Sequence, residues 1–258
     1  MTKEIERVSE AIESAMSGKS CALISSGDPG IYAMAGLVFD LCREKEISIY
    51  PHSFGNQSAF AESSLSIEVV PGIPALCFGA SLLGAPLTHD FATISLSDLL
   101  TPWETIELRI EAAAKADFAI VLYNPKSKKR NWQLKKAQDI ILKHRNKNTP
   151  VGIVTNAMRN EQRVEIITLD NLNKAQVGMQ TTVFIGNSAT TCYMNFMITP
   201  RGYLNKYRNR SQGSGVGEQG SRVGEQWPGV DLQQIQTGNG QLVTENWKHP
   251  VNPVNPVR

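Results

Sequence analysis

Apolar residues in the first third of the chain alternate between helical spacing and short continuous runs. The helical spacing predicts helices over residues 5–16, 34–46 and 76–84, the last with small residues suited to close packing. The continuous runs predict strands at 21–24, 47–50 and 67–70, whereas the polar, Ser-rich stretch 51–66 is typical of a loop or insertion. This alternation is typical of an α/β protein with a mostly parallel sheet.

The second part of the chain continues the pattern with denser apolar runs. It predicts helices after Pro102 and around residues 134–141, and strands at 91–96, 117–123, 151–154, 164–168, 181–185 and 196–198. Gly84-Ala85-Pro86-Leu87-Thr88 is interpreted as the crossing between an N-terminal domain, 1–87, and a C-terminal domain, 88–208. Residues 209–258 repeat Val-Gly-Glu-Gln and Val-Asn-Pro without a core pattern, which predicts a disordered tail.

Composition narrows the functional classes. The 258 residues carry a net charge of only +2, which does not favour a nucleic-acid-binding surface. No apolar run reaches transmembrane length and the first residues lack a signal-peptide core, so we expect a cytoplasmic protein that is not bound to a membrane. The cysteines form no CxxC pair and no Cys/His cluster, so neither a metal site nor a disulfide framework is indicated: Cys21, Cys42, Cys77 and Cys192.

The stretch Ser25-Ser26-Gly27-Asp28-Pro29-Gly30 contains the first chemical signal. Gly27 allows a sharp turn, Asp28 suits a helix N-cap and Pro29 suits the first helical position. Such a strand–turn–helix connection commonly holds a small ligand at the carboxyl edge of a sheet. A well-capped connection without a ligand explains the same residues equally well.

Acid–base pairs are scarce elsewhere. His89-Asp90 is the only adjacent His/Asp pair, and an exposed turn pair explains it better than catalysis does. No nucleophile elbow, Walker loop, HExxH or GxGxxG motif is present, a pattern that suits methyl transfer from a sulfonium, which needs mainly positioning. Four cations follow a predicted strand end at Lys126, Lys128, Lys129 and Arg130. A solvated helix start would explain them, but cations are mildly unfavourable at the N-terminal end of a helix dipole, so their position favours a polyanionic substrate.

Several segments together resemble the tetrapyrrole (corrin/porphyrin) methylase superfamily. The matching segments are Ser-Gly-Asp-Pro-Gly-Ile-Tyr at 26–32, Pro-Gly-Ile-Pro-Ala at 71–75, Gly-Ala-Pro-Leu-Thr-His-Asp at 84–90, Ile-Gly-Asn-Ser at 185–188 and Thr-Pro-Arg-Gly-Tyr at 199–203. Two narrower segments, Ser-Leu-Ser-Asp-Leu-Leu-Thr-Pro-Trp-Glu at 95–104 and Leu-Tyr-Asn-Pro-Lys-Ser-Lys-Lys-Arg at 122–130, resemble the precorrin-3B C17-methyltransferase subgroup. That subgroup methylates C17 and contracts the macrocycle during cobalamin synthesis.

The resemblance implies a homodimer of two-domain α/β chains that bind S-adenosylmethionine between their domains and act on a tetrapyrrole. The family's contacts with S-adenosylmethionine correspond to Ser26, Gly27, Asp28, Ile31, Pro74, Ala75, Asn124 and Ala157. Residues placed to contact the macrocycle and its carboxylates are Ser97, Thr101, Lys126, Lys128 and Arg130. Ring contraction also needs proton transfers, for which the candidates are His89, Asp98 and Ser127.

One departure from the family pattern concerns the first domain. Family members begin with a strand that ends in a Gly-x-Gly-Pro-Gly-Asp loop, whereas Met1 starts at the helix that follows those elements. The comparison therefore implies a truncated first domain that lacks its initial strands. Two other functions stay open: a catalytically impaired remnant that retains dimerisation or ligand binding, and a superfamily relative acting on another substrate, such as an rRNA ribose methylase or diphthine synthase.

Overall fold

The structure is a computed structural model that describes residues 2–51, 64–127 and 130–203. All of these residues belong to one compact unit. The predicted boundary between residues 87 and 88 stays a prediction, and the predicted disordered tail lies outside the described residues. None of the helices in the described ranges is both long and apolar enough to span a bilayer.

The N-terminal part packs two helices against a small sheet. Helices α1 (Thr2–Met16) and α2 (Ala35–Glu44) confirm the predicted helical periods. Strands β1 (Ile49–Pro51) and β2 (Leu65–Ile67) pair in parallel. Buried apolar residues of both helices and of β2 form a local core: Val8, Ile12, Leu41, Cys42 and Leu65.

The strand predicted at 21–24 is wrong. These four residues have no regular secondary structure and are exposed, and Ile24 keeps 94% of its accessible surface. A β-prone run becomes a strand only when a neighbouring strand pairs with its backbone, and no described strand lies beside this one. The strand predicted at 67–70 is also wrong beyond Ile67, and Val70 is 67% exposed.

A five-stranded mixed sheet organises the rest of the unit. Its strands are β4 (Phe91–Ser95), β5 (Ala119–Tyr123), β6 (Pro150–Thr155), β7 (Arg163–Thr168) and β8 (Thr181–Ile185). They lie side by side in the order β4-β5-β8-β6-β7. Strand β5 is parallel to β4, and both β5 and β6 are antiparallel to β8. The carboxyl ends of β4, β5 and β6 therefore meet at one edge.

Helices cover both faces of this sheet because its central strands are apolar on both sides. Helices α4 (Trp103–Lys115) and α5 (Gln133–Leu142) and a 3-10 helix (Leu169–Lys174) share one core with Ile120 and Leu122. Helix α3 (Ala75–Leu83) packs on the other face, where Val121 and Phe184 point.

Two glycines permit the close approach of α3 to the sheet. A Cβ on Gly79 would lie 2.4 Å from Cζ of Phe184, and a Cβ on Gly152 would lie 2.4 Å from Cδ1 of Leu83. The small residues predicted in this helix therefore do serve close packing.

A second small sheet joins distant parts of the chain, in the order β3 (Gly84–Ala85), β10 (Phe196–Ile198) and β9 (Thr191–Tyr193). Strand β10 is parallel to β3 and antiparallel to β9. The sequence pattern predicts β10 but not β9, because all three residues of β9 are exposed and lack an apolar alternation.

Candidate functional site

A cavity of about 280 Å³ opens at the edge where β5 and β6 end. All eight residues predicted to contact a cofactor line it: Ser26, Gly27, Asp28, Ile31, Pro74, Ala75, Asn124 and Ala157. They come from four separate segments, so the fold rather than the local sequence brings them together. Among the described residues, no group of three or more His, Cys, Asp or Glu side chains is arranged to hold a metal ion.

Asp28 ties the first of these segments to the second. Its Oδ1 accepts a hydrogen bond from the Gly30 N–H at 2.8 Å, and its Oδ2 accepts one from the Gly72 N–H at 3.0 Å. The two loops touch so closely that a Cβ on Gly72 would lie 2.2 Å from the carbonyl oxygen of Gly27. Gly27 itself has φ +80°, a backbone conformation that favours glycine.

The helix start predicted at this turn is wrong. Helix α2 begins at Ala35, after the N-cap residue Met34, and that cap has no side-chain hydrogen bond. Asp28 instead closes a two-residue turn onto Gly30, because its carboxylate is within reach of that nearby N–H. Pro29 is therefore part of a loop wall rather than the first residue of a helix.

Two tyrosines form a further wall of the cavity. Tyr32, with φ +53°, donates its hydroxyl proton to the carbonyl of Thr93 at 3.0 Å, and its ring centroid lies 5.1 Å from that of Tyr123. Leu76 lies in the first turn of α3, and its N–H donates a hydrogen bond to the Tyr123 hydroxyl at 2.8 Å. Burial raises the pKa of Tyr123, and the Leu76 hydrogen bond opposes that rise. Its phenol therefore stays protonated at neutral pH.

Asn124 follows β5 in a left-handed conformation, with φ +51°. Its Nδ2 donates to Ser95 Oγ at 3.0 Å, and the same Oγ accepts a hydrogen bond from the Ser97 N–H at 3.2 Å. The guanidinium of Arg130 donates to the carbonyls of Leu96 at 2.9 Å and of Asn124 at 3.3 Å. The ends of β4 and β5 are thereby fixed to each other by side chains.

A larger groove of about 680 Å³ adjoins the cavity and shares Met179, Gln180 and Thr181 with it. Lys126 and Arg163 also line this groove, and both are exposed. None of the described residues that line the groove is acidic. The groove therefore presents positive charge to a ligand.

The remaining predicted residues divide between the two edges of the sheet. Asp98 follows β4 on the cavity edge, where its Oδ2 accepts a hydrogen bond from Gln133 Nε2 at 2.9 Å. Ser127 Oγ accepts one from the Arg130 N–H at 3.1 Å, after β5. His89 precedes β4 and therefore lies at the opposite edge, where its Nδ1 accepts a hydrogen bond from the Asp90 N–H.

Ser97 and Thr101 are half-buried in the loop between β4 and α4, whereas Lys128 lies outside the described residues. Helix α4 begins after Pro102, as the sequence predicts, and Thr101 is not its N-cap residue. Pro102 occupies that position and α4 begins at Trp103, because the extended backbone of the proline ends the loop without a side-chain hydrogen bond.

Sequence reasoning missed several residues of the cavity wall, among them Tyr32, Phe78, Tyr123, Gln180 and Thr182. The tyrosines offered a weak signal, since one follows the glycine turn and the other ends a buried strand. Gln180 and Thr182 offered none, because Thr182 is typical of a strand and Gln180 of a polar loop.

A mixed sheet with a ligand-sized cavity at its carboxyl edge defines an α/β enzyme fold of the kind that binds small molecules. Residues 2–173 match the sequence profile of the Tetrapyrrole (Corrin/Porphyrin) Methylases. The chain belongs to this family, which confirms the predicted methyltransferase class and the predicted α/β fold.

Several curated proteins are similar to the chain. It is 50% identical over 207 residues to the cobalt-factor III methyltransferase of Priestia megaterium, an alignment that covers 80% of this chain and 36% of the relative. It thus spans about a third of that relative's length. It is 44% identical over 203 residues to a probable cobalt-factor III C(17)-methyltransferase of Salmonella typhimurium, covering 79% of this chain and 78% of the relative.

A solved structure gives the same result for the fold. The crystal structure of the methyltransferase CobJ is 32% identical in sequence, superimposes with a TM-score of 0.65, and covers 76% of this chain and 77% of its own. The likeness supports the subgroup that the sequence motifs indicate.

Proposed function

We propose that this chain is an S-adenosylmethionine-dependent C17-methyltransferase of cobalamin biosynthesis that acts on a precorrin-3B-type macrocycle and contracts its ring. The observation that carries the proposal is the convergence of all eight predicted cofactor residues in one cavity beside a cationic groove. The names of the relatives favour the cobalt-containing form of the substrate, cobalt-factor III.

The cavity suits S-adenosylmethionine in its chemistry. Ile31, Phe78 and Val154 supply apolar surface for an adenine ring, and Asn156 and Thr182 supply polar groups near it. The Tyr123 hydroxyl accepts a hydrogen bond from Leu76, which leaves its proton available to a ligand acceptor. Bound S-adenosylmethionine supplies an electrophilic methyl group on a sulfonium, so for the methyl transfer itself the chain needs only to bind and orient the two reactants and exclude water.

The cationic groove suits the substrate. A corrinoid precursor carries several acetate and propionate arms, and Lys126 and Arg163 offer ammonium and guanidinium partners for them. Met179, Gln180 and Thr181 line both spaces, so a macrocycle in the groove would lie next to a methyl donor in the cavity. This arrangement supports transfer between two adjacent ligands.

We assign proton transfer during ring contraction to Asp98 and Ser127, on the edge of the sheet where the cavity opens. Asp98 is held by Gln133 and Ser127 is held by Arg130, both in loops that follow strand ends. His89 is at the other edge of the sheet and is left without a part in this proposal. The homodimer and the cytoplasmic location stay predictions.

The test is label transfer from methyl-labelled S-adenosylmethionine to cobalt-factor III, combined with calorimetry of S-adenosylhomocysteine binding. We expect binding, and transfer of one methyl group per macrocycle. Lys126→Ala should raise the KM for the macrocycle, while the matched control Lys115→Ala, an exposed lysine at the carboxyl end of α4, should not. Binding without transfer would overturn the proposal in favour of an inactive remnant, and transfer to a different acceptor would favour another substrate.

A further inference from the structure

The Arg130 guanidinium lies where three segments of the site meet. Its Nη1 donates to the carbonyls of Leu96 and Asn124, which follow β4 and β5, and its Nη2 lies 3.5 Å from Sδ of Met179, in the loop before β8. The base of the side chain is also fixed, since Ser127 accepts the Arg130 N–H and donates its own N–H to the Arg130 carbonyl at 2.8 Å.

The contacts of Arg130 differ from those expected of a substrate-binding cation. Among the described residues, Lys126 lines the groove, whereas Arg130 lines neither the groove nor the cavity. The two carbonyls on Nη1 belong to strand ends, where backbone oxygens need a partner outside the sheet. A planar guanidinium can serve several acceptors in fixed directions, and an ammonium group cannot do so with the same geometry.

Asn124 shows what this contact does for the site. It lines the cavity in a left-handed conformation, which asparagine adopts more readily than most non-glycine residues. Its side-chain amide is held by Ser95 and its carbonyl by Arg130. Met179, the third contact of Arg130, lines both the cavity and the groove.

We propose that Arg130 is a positioning residue, which acts on the methyl-donor cavity through Asn124 and Met179 and does not bind substrate carboxylates. Its removal therefore weakens binding of the methyl donor, whereas removal of Lys126 weakens binding of the macrocycle. The inference deepens the proposed function and rests on it for the identity of the two ligands.

The test compares Arg130→Met, Arg130→Lys and Lys126→Met in the full chain. Calorimetry with S-adenosylhomocysteine should show a loss of affinity of about tenfold or more for Arg130→Met, a smaller loss for Arg130→Lys, and a change below about twofold for Lys126→Met. In steady-state assays, Arg130→Met should raise the KM for S-adenosylmethionine and leave the KM for the macrocycle unchanged. Lys126→Met should show the reverse.

The result that overturns the inference is an Arg130→Met protein with unchanged S-adenosylhomocysteine affinity, whether or not its KM for the macrocycle rises. If Arg130→Met does not fold, Arg130→Lys decides on the same two measurements. Calorimetry measures the affinity for S-adenosylhomocysteine without any methyl transfer. If the wild-type protein binds S-adenosylhomocysteine but transfers no methyl group, the proposed function is refuted and the inference about Arg130 is not. Absence of wild-type binding refutes both.

Discussion

Replacing Asp28 with Asn tests whether one carboxylate holds two cavity walls together. The carboxylate accepts the Gly30 N–H with one oxygen and the Gly72 N–H with the other. An asparagine amide keeps one acceptor oxygen but turns an NH2 group toward the second N–H, so two donors face each other. Asp28→Asn should therefore separate the loop at Gly27 from the loop at Gly72.

The size of the effect follows from the two bonds. A hydrogen bond to a charged group contributes about 1.5–3 kcal/mol. The Gly30 bond is exposed and the Gly72 bond is partly buried, so we take about 2 kcal/mol for losing the second bond and weakening the first. That loss lowers the thermal midpoint by about 4–8 °C in a protein of this size. It also weakens S-adenosylhomocysteine binding by up to about 30-fold if the loops must be reordered on binding.

Thermal unfolding and calorimetry measure the two quantities on the same protein. Asp40→Asn is the matched control, because Asp40 pairs with Arg43 at 3.0 Å on the exposed surface of α2, with side chains 67% and 83% exposed. We expect that control to change stability by less than about 0.5 kcal/mol. An Asp28→Asn protein with wild-type midpoint and affinity would refute the reasoning. Lower affinity at an unchanged midpoint would show instead that the carboxylate contacts the ligand directly.

Two further predictions concern packing and ionisation. Gly79→Ala should destabilise the fold by about 1–3 kcal/mol, because its Cβ would lie 2.4 Å from Phe184. The control Gly36→Ala should be neutral or slightly stabilising, because a Cβ there would have nothing within 4 Å. Equal unfolding midpoints for the two variants would contradict this prediction. Burial raises the pKa of Tyr123 in the folded state, so its contribution to stability is complete below about pH 10 and is lost as pH rises through the folded pKa. Urea unfolding from pH 8 to 11 should therefore show a steeper alkaline loss in wild type than in Tyr123→Phe, and equal slopes would show that the phenol is not protected.

The spacing of apolar residues predicted the helices and strands that carry a continuous apolar surface of their own. Helices α1, α4 and α5 and strands β5 and β8 each carry a continuous apolar stripe or run, and the structure buries it, apart from Ile5 and Met16 near the ends of α1. The run at 21–24 carries the same local signal and forms no strand, because a strand needs a paired neighbour and local sequence does not encode one.

Only the parts of the site that lie within short sequence motifs could be predicted. The glycine turn at residues 26–31 could be identified as a candidate ligand site from its residue types, and the family resemblance supplied Pro74, Ala75, Asn124 and Ala157. The bond from Tyr32 to Thr93 spans 61 residues and the bond from Leu76 to Tyr123 spans 47. Contacts of such separation depend on how the elements pack, so no local pattern indicates them.

The cavity wall is built from backbone turns that side chains of other segments hold in place. The pairs are Asp28 with Gly72, Tyr32 with Thr93, Tyr123 with Leu76, and Arg130 with Leu96 and Asn124. Because each side chain joins two segments, displacement of one segment must move the segment to which it is bonded. Transfer of an already activated methyl group depends on the distance and angle between two reactants, and a wall with such cross-links keeps both fixed. The side chains that matter most for this activity are therefore expected to act through backbone geometry, with few of them touching the reacting atoms.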